Sequence, residues 1–154
     1  MPDPLHAMSV EVVRVSQADD ALVAAFARLL PQLSRSAPPL ILADLQAIVS
    51  APGNDVFVAI APADRRIVGT LTLVHFRIPT GVRAWIEDVV VDGEARGLGA
   101  GAALIRAAIL RRRELGAKTL DLTSNPSRQA AHRLYESRGF AMRDTRVYRY
   151  RAPS

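Results

Sequence analysis

The stretch that decides the fold runs from Val89 to Leu104 and reads VVVDGEARGLGAGAAL. A β-branched triplet, Val89-Val90-Val91, leads through the polar elbow Asp92–Arg96 into the alternating glycines Gly97, Gly99 and Gly101. Apolar residues then resume at helical spacing. Glycine costs about 1 kcal/mol relative to alanine inside a helix, so three of them at a helix mouth need a reason. The first turn of a helix leaves backbone N–H groups without acceptors and carries the positive end of the dipole. Bare glycines there let an anion approach the backbone, which makes strand, glycine turn and helix a recurring phosphate site. The competing reading is a tight turn with no ligand.

Working outward, the flanking pattern is that of an α/β chain of alternating elements. Upstream, Val10–Val15 alternates as a strand, and Asp19-Asp20 precede an alanine- and leucine-rich helix over 21–30. Pro31–Pro39 reads as a loop, and a shorter helix follows over about 40–50, closed by Pro52-Gly53-Asn54. Val56–Ile60 and Ile67–Phe76 flank a polar turn as an antiparallel hairpin. After the turn Pro79-Thr80-Gly81, Arg83–Val91 forms the strand that enters the glycines. Downstream, Leu98, Ala102, Ile105 and Ile109 mark one helical face ending at Gly116. A strand over 118–123, a helix over 128–138 and a final β segment over 140–150 complete the order.

The composition narrows the partners. With 154 residues, 49% hydrophobic and 23% charged, the chain suits one globular domain. No apolar run approaches the ~20 residues of a membrane span. Residues 1–7 carry neither a basic nor an apolar segment, so we expect a disordered lead, a domain over 8–151 and a cytoplasmic protein. The absence of cysteine excludes disulfides, thiolate metal sites and a cysteine nucleophile. His6, His75 and His132 lack metal-ligand spacing, so no metal is expected and each is read as structural. A net charge of +5 admits nucleic acid, an anionic membrane or a small polyphosphate. Arg111-Arg112-Arg113, at the end of a helix, reads as a solvated face that favours the dipole. It lacks the interleaved aromatics of a single-strand platform, so neither nucleic acid nor membrane is expected as a partner.

Among phosphate ligands, a P-loop needs Gly-Lys-Ser/Thr, where this chain has Gly101-Ala102-Ala103. Gly97–Ala102 does fit the dinucleotide fingerprint G-x-G-x-x-G/A, with Asp121 on the next strand. That fingerprint turns sharply at the end of its strand, however, whereas Asp92–Arg96 intervene here, and only one βα unit remains. Arg96-Gly97-Leu98-Gly99-Ala100-Gly101 instead matches R/Q-x-x-G-x-G/A. With it, the chain resembles the GNAT superfamily of acyl-CoA-dependent N-acyltransferases. Ile86–Val91 resembles that superfamily's fourth strand, and Ala131–Phe140 is similar to its A-x-x-L-Y-E-x-x-G-F segment. These motifs span Trp85–Phe140; the rest agrees in element order.

The resemblance implies a single-domain GNAT fold of the α/β (α+β) class. Its sheet is mixed and mostly antiparallel, flanked by helices, with a splayed central strand pair. It implies an N-acetyltransferase that moves acetyl from acetyl-CoA directly to a primary amine in a ternary complex. The missing cysteine and the missing G-x-S-x-G elbow agree with a route that has no covalent enzyme intermediate. The amides of Gly97, Leu98, Gly99, Ala100, Gly101 and Ala102, with Arg96, would hold the pyrophosphate. The strand Val89, Val90, Val91 would pair with pantetheine, chiefly through the backbones of Val89 and Val91, their side chains sharing a face with Trp85 and Glu87.

An aliphatic ammonium, pKa near ~10.4, must lose a proton before it attacks, and a thiolate leaves more readily when protonated. Glu87 resembles the superfamily's general base, against a reading as a solvated strand acid; Asp88 points to the opposite face. Tyr135 aligns with its proton donor to sulfur, against a reading as a core tyrosine. Arg128 stands where many members carry asparagine, so Asn125 is the alternative CoA contact and Ser127 the expected helix cap. Trp85 neighbours the proposed site, as a wall of the acceptor pocket or as core. Acceptor choice falls to the Leu33–Leu40 loop, the Phe76–Arg83 turn and the final segment. A small-molecule amine is expected ahead of a protein amine, with a homodimer as the assembly. The rival reading is a CoA-binding sensor module without turnover.

Overall fold

The run Asn54–Ile60 sets the architecture because both of its faces are apolar and buried. Phe57 and Ala59 belong to one cluster, Val56 and Val58 to another, so each face of the strand needs a cover. The computed structural model describes residues 9–154 and supplies helices on both sides; the expected lead over 1–7 lies outside the described residues. In chain order the elements are β1 (Glu11–Arg14), α1 (Asp20–Leu33), α2 (Leu42–Ser50), β2 (Asn54–Ile60), β3 (Ile67–Ile78), β4 (Gly81–Val91), α3 (Ala100–Leu115), β5 (Thr119–Asp121) and α4 (Gln129–Ser137). The sheet follows the same order, β1-β2-β3-β4-β5. Its first three pairings are antiparallel and the last, β4 with β5, is parallel. This is the mixed, mostly antiparallel sheet that the motifs implied.

Each face has its own core. Leu104, Ile105 and Ala108 of α3 pack on Phe57, Leu71, Leu73, Ala84 and Ile86. On the other side, Leu22 and Phe26 of α1 join Leu45 and Val49 of α2 over Val56 and Val58. The buried face of α3 is Ala100, Leu104, Ile105 and Ala108, not the stripe through Leu98 expected from spacing. Leu98 precedes the helix and is exposed, so counting from it rotates the face.

Three further expectations are corrected. Helix α1 runs through Pro31 to Leu33, although proline in a helix interior costs about 3 kcal/mol. Gln32 helps to offset that cost: its side chain donates to the Arg28 carbonyl and accepts from the Gly93 amide at 2.9 Å. Residues after Phe140 form no strand. Met142, Val147, Tyr148 and Tyr150 are highly exposed, and among the described residues nothing offers this tail the ladder a strand requires. Nor is the arginine run simply solvated. Arg111 Nε donates to Asp55 Oδ2 at 2.7 Å, binding α3 to the start of β2.

The elbow after β4 is fixed by a buried carboxylate. Asp92 Oδ1 accepts from the Glu94 amide at 3.1 Å and from Gln32 Nε2 at 3.4 Å. Its Oδ2 faces Arg66 Nη2 at 3.5 Å and Arg28 Nε at 3.7 Å. Two residues of α1 and one from the β2–β3 turn thus grip the segment that delivers the glycines. The Glu94 amide, then Gln32 and the two guanidiniums, hold the Asp92 carboxyl below the usual carboxylate value against the opposing effect of burial.

Because the folded carboxyl titrates lower than the unfolded one, its stabilisation is complete above the unfolded value near ~3.9. It is lost as pH falls through the lower folded value. Asp92→Asn should therefore melt below the wild type at pH 7, and the gap should close in acid. Paired thermal melts between pH 7 and pH 3 measure it; a gap independent of pH would show that the charge of Asp92 does not hold the elbow.

Candidate active site

The site begins with an irregularity in β4. Thr72 pairs with Glu87 and Thr70 with Val90, so Asp88 and Val89 together stand opposite the single residue Leu71. Such a β-bulge bends its strand and resets the alternation of side chains. Upstream, Ala84 and Ile86 point into the core under α3; downstream, Val89 and Val91 do. The valines therefore lie on the face opposite Trp85 and Glu87, which corrects the shared face expected from simple alternation. Asp88 takes the left-handed conformation with φ 50°, one that aspartate tolerates better than most residues. It turns out beside Glu87 rather than away from it, and the two acids line one groove.

The bulge also governs the edge. β5 pairs only with Arg83, Ala84 and Trp85, so among the described residues β4 from Ile86 onward has no partner on that side. The Asp92 amide donates to Val68 O of β3 at 2.8 Å. Backbone direction alternates along a strand, which turns the polar groups of Val91 and Val89 into the open gap and those of Val90 toward β3. An extended, amide-bearing chain can add to such an edge.

Below the gap lies the glycine turn. Gly97 and Gly99 adopt φ of 87° and 73°, which L-residues with side chains rarely take, and an added Cβ at either would meet nothing within 4 Å. The space above them is open. Gly101 is needed for packing instead, since a Cβ there would stand 3.2 Å from Leu134 Cδ2 of α4. Gly99 serves as the N-cap of α3 without a side-chain cap. The amides of Ala100, Gly101 and Ala102 lie in the first turn, where no intrahelical acceptor exists. Arg96 is exposed and makes no ion pair or hydrogen bond among the described residues. Its charge is free for a phosphate rather than spent on ordering the loop. Open space, bare amides and a free guanidinium together fit a polyphosphate.

The groove, about 170 Å³, brings Glu87, Asp88 and Val89 of β4 together with Thr123 and Ser124 beyond β5 and with Arg128 and Tyr135 of α4. His132 and Ser124 share a hydrogen bond of 3.0 Å that ties α4 to the segment following β5. Burial pushes the Tyr135 phenol above its ordinary value near 10.0, and the nearby Arg128 charge acts in the opposite sense. The phenol is therefore protonated at neutral pH and able to donate. Asn125 lies outside the groove lining: its Oδ1 accepts from Ser127 N at 2.9 Å and Ser127 Oγ at 2.8 Å. Ser127 is thus engaged with Asn125, and α4 starts after Arg128 with no side-chain cap.

A second cavity of about 230 Å³ opens beneath α1 and α2. Phe26 and Leu30 of α1, Ala37, Pro38 and Leu40 of the connecting loop and Ile48 of α2 form its apolar walls. Thr70, Thr72 and Asp88 form its floor. Of the elements expected to choose an acceptor, the Leu33–Leu40 loop lines these cavities; Trp85, the Phe76–Arg83 turn and the C-terminal tail line neither. Sequence reasoning put Asp88 on the wrong face and missed the Gln32–Asp92 contact, because a bulge and a helix running through proline leave no periodic signal. Among the described residues, no three His, Asp or Glu side chains are grouped for a metal, and His75 faces Asp55 at 3.3 Å.

No curated protein matches this chain by sequence. Its fold is similar to that of an acetyltransferase from Trypanosoma brucei, with TM-score 0.75 and 27% identity over 92% of this chain and 99% of that one. An aminoglycoside acetyltransferase from an uncultured soil metagenomic sample, in complex with trehalose, gives TM-score 0.79 at 21% identity, covering 94% and 97%. The ribosomal-protein-alanine N-acetyltransferase of Brucella melitensis gives 0.74 at 21%, covering 94% and 100%. These two likenesses are of fold. The model of the acetyltransferase (GNAT) family matches residues 21–140, and the chain belongs to that family.

Proposed function

We propose that this protein transfers acetyl from acetyl-CoA directly to the nitrogen of a small primary amine. The observation that carries the reading is the groove in which Glu87 and Tyr135 meet beside an open strand edge and an anion-ready helix mouth. Amides from Gly97 to Ala102, with Arg96, hold the pyrophosphate. An anion there gains ~0.3–1 kcal/mol from the dipole, and up to ~2 when partly buried, in addition to its hydrogen bonds. Val89 and Val91 offer their backbone to pantetheine, with Val90 anchoring the strand from the β3 side. Arg128, which lines the groove, meets a CoA phosphate in this reading, rather than Asn125, which does not line it.

Glu87 takes a proton from the ammonium, directly or through water. The freed nitrogen forms its bond to the thioester carbonyl carbon, gives up its second proton to solvent, and the C–S bond breaks. Tyr135 gives its phenolic proton to the departing sulfur and recovers one from solvent. Amide, free CoA and one released proton balance the equation. The reading includes no metal, nucleic acid or membrane surface. It places the protein in the cytoplasm as a homodimer, an assembly that would give the exposed tyrosines of the tail a partner.

Saturating acetyl-CoA, at about a hundredfold over its Kd, adds about 2.7 kcal/mol to stability and should raise Tm by roughly 5–10 °C. Gly99→Val, which strains the backbone and fills the open space, should abolish that shift. No shift in the wild type would overturn the proposal. Removing a positioned acid or base costs about 10²–10⁴-fold in rate. Glu87→Gln and Tyr135→Phe should lose turnover on that scale, followed as free thiol with an amine panel, while keeping the acetyl-CoA shift. Binding with no turnover in the wild type would identify a sensor module instead.

A further inference from the structure

We infer that the acceptor is a primary amine carried on a compact apolar body, one ring or a branched alkyl group on a short tether, and that Asp88 holds its ammonium. The inference rests on the amine-acetylation reading and adds the class of amine. The cavity beneath α1 has one charged residue in its lining, Asp88, and that residue also lines the groove containing Glu87 and Tyr135. Asp88 makes no ion pair or hydrogen bond among the described residues, so its carboxylate is uncommitted.

The rest of the lining offers little to a polar substrate. Phe26, Leu30, Leu40 and Ile48 present hydrocarbon, the Thr70 hydroxyl already donates to Phe57 O at 3.0 Å, and Thr72 adds a single hydroxyl. A polyhydroxylated aminosugar seated here would leave hydroxyl groups facing apolar walls without partners, which disfavours it against water. An arylalkyl body has the opposite balance: its apolar surface leaves water, and its one cation meets the one carboxylate. The size agrees, since an apolar cavity of ~150 Å³ holds a benzene molecule, whereas this one offers about 230 Å³. An ammonium on Asp88 sits at the one residue that lines both the apolar cavity and the groove, and Glu87, the preceding residue, receives its proton.

Calorimetric titration of 2-phenylethylamine and of glucosamine, each into protein saturated with CoA, tests this without requiring turnover. The arylalkylamine should bind at least tenfold more tightly than the aminosugar. Asp88→Asn, which keeps a residue tolerant of the left-handed conformation, should weaken 2-phenylethylamine at least tenfold and leave CoA affinity within twofold. Leu40→Gln, on the connecting loop, should weaken 2-phenylethylamine and spare CoA. Equal or tighter binding of glucosamine, no binding of either amine, or indifference to Asp88→Asn would overturn the inference. The two readings separate in the turnover assay. Asp88-dependent binding of 2-phenylethylamine without acetylation supports the pocket and defeats the enzyme, whereas faster acetylation of glucosamine supports the enzyme and defeats the pocket.

Discussion

Two residues of β4 facing one residue of β3 is the constraint on which the site depends. With Asp88 and Val89 opposite Leu71, the strand changes which of its side chains face α3. A regular strand would have sent Glu87 and Asp88 to opposite sides of the sheet. The bulge leaves both acids on the groove and returns the valines to the core. It also lies just beyond Trp85, the last residue of β4 to pair with β5. The bend and the parting of the strands belong together physically: a bulge raises local twist, and a twisted strand leaves a straight neighbour. One local departure from the ladder supplies the acid pair and stands beside the open edge.

Helix α1 connects the two halves of the site. One of its faces carries Phe26 and Leu30 into the apolar cavity. Another carries Arg28 and Gln32 to the elbow carboxylate of Asp92, which is buried and gripped from three directions. A helix that covers the apolar cavity is therefore fastened to the turn that presents the glycines. The fastening is polar and buried, a kind of contact that is costly to leave half made. It holds a mobile kind of segment, a loop between strand and helix, in register with the rest of the fold.

The two cavities differ in character because they sit on different chemistry. The one under α1 is walled by hydrocarbon and sees one carboxylate, while the groove between β4 and α4 collects Glu87, Arg128 and Tyr135. Burial that keeps the Tyr135 phenol protonated follows from the packing of α4 on α3, in which Leu134 stands against Gly101. The third glycine of the turn thus serves the seating of α4, and with it the Tyr135 phenol, as much as the turn itself.

The sequence by itself determined the strand, the glycine turn and the helix, since hydrophobic period and the demand for positive φ at Gly97 and Gly99 are local properties. It also determined the family, through Arg96–Gly101 and the segment around Tyr135. It misjudged what depends on neighbours. Pro31 reads as a helix breaker until Gln32 finds Gly93, and Arg111 reads as solvated until Asp55 approaches it. Phe140–Tyr150 reads as a strand by composition, yet a strand exists only where another backbone accepts its hydrogen bonds. The bulge at Asp88 was the most consequential omission. Alternation along β4 is legible from side chains, but the place where it slips is set by how β3 packs beside it, and only the tertiary structure decides that.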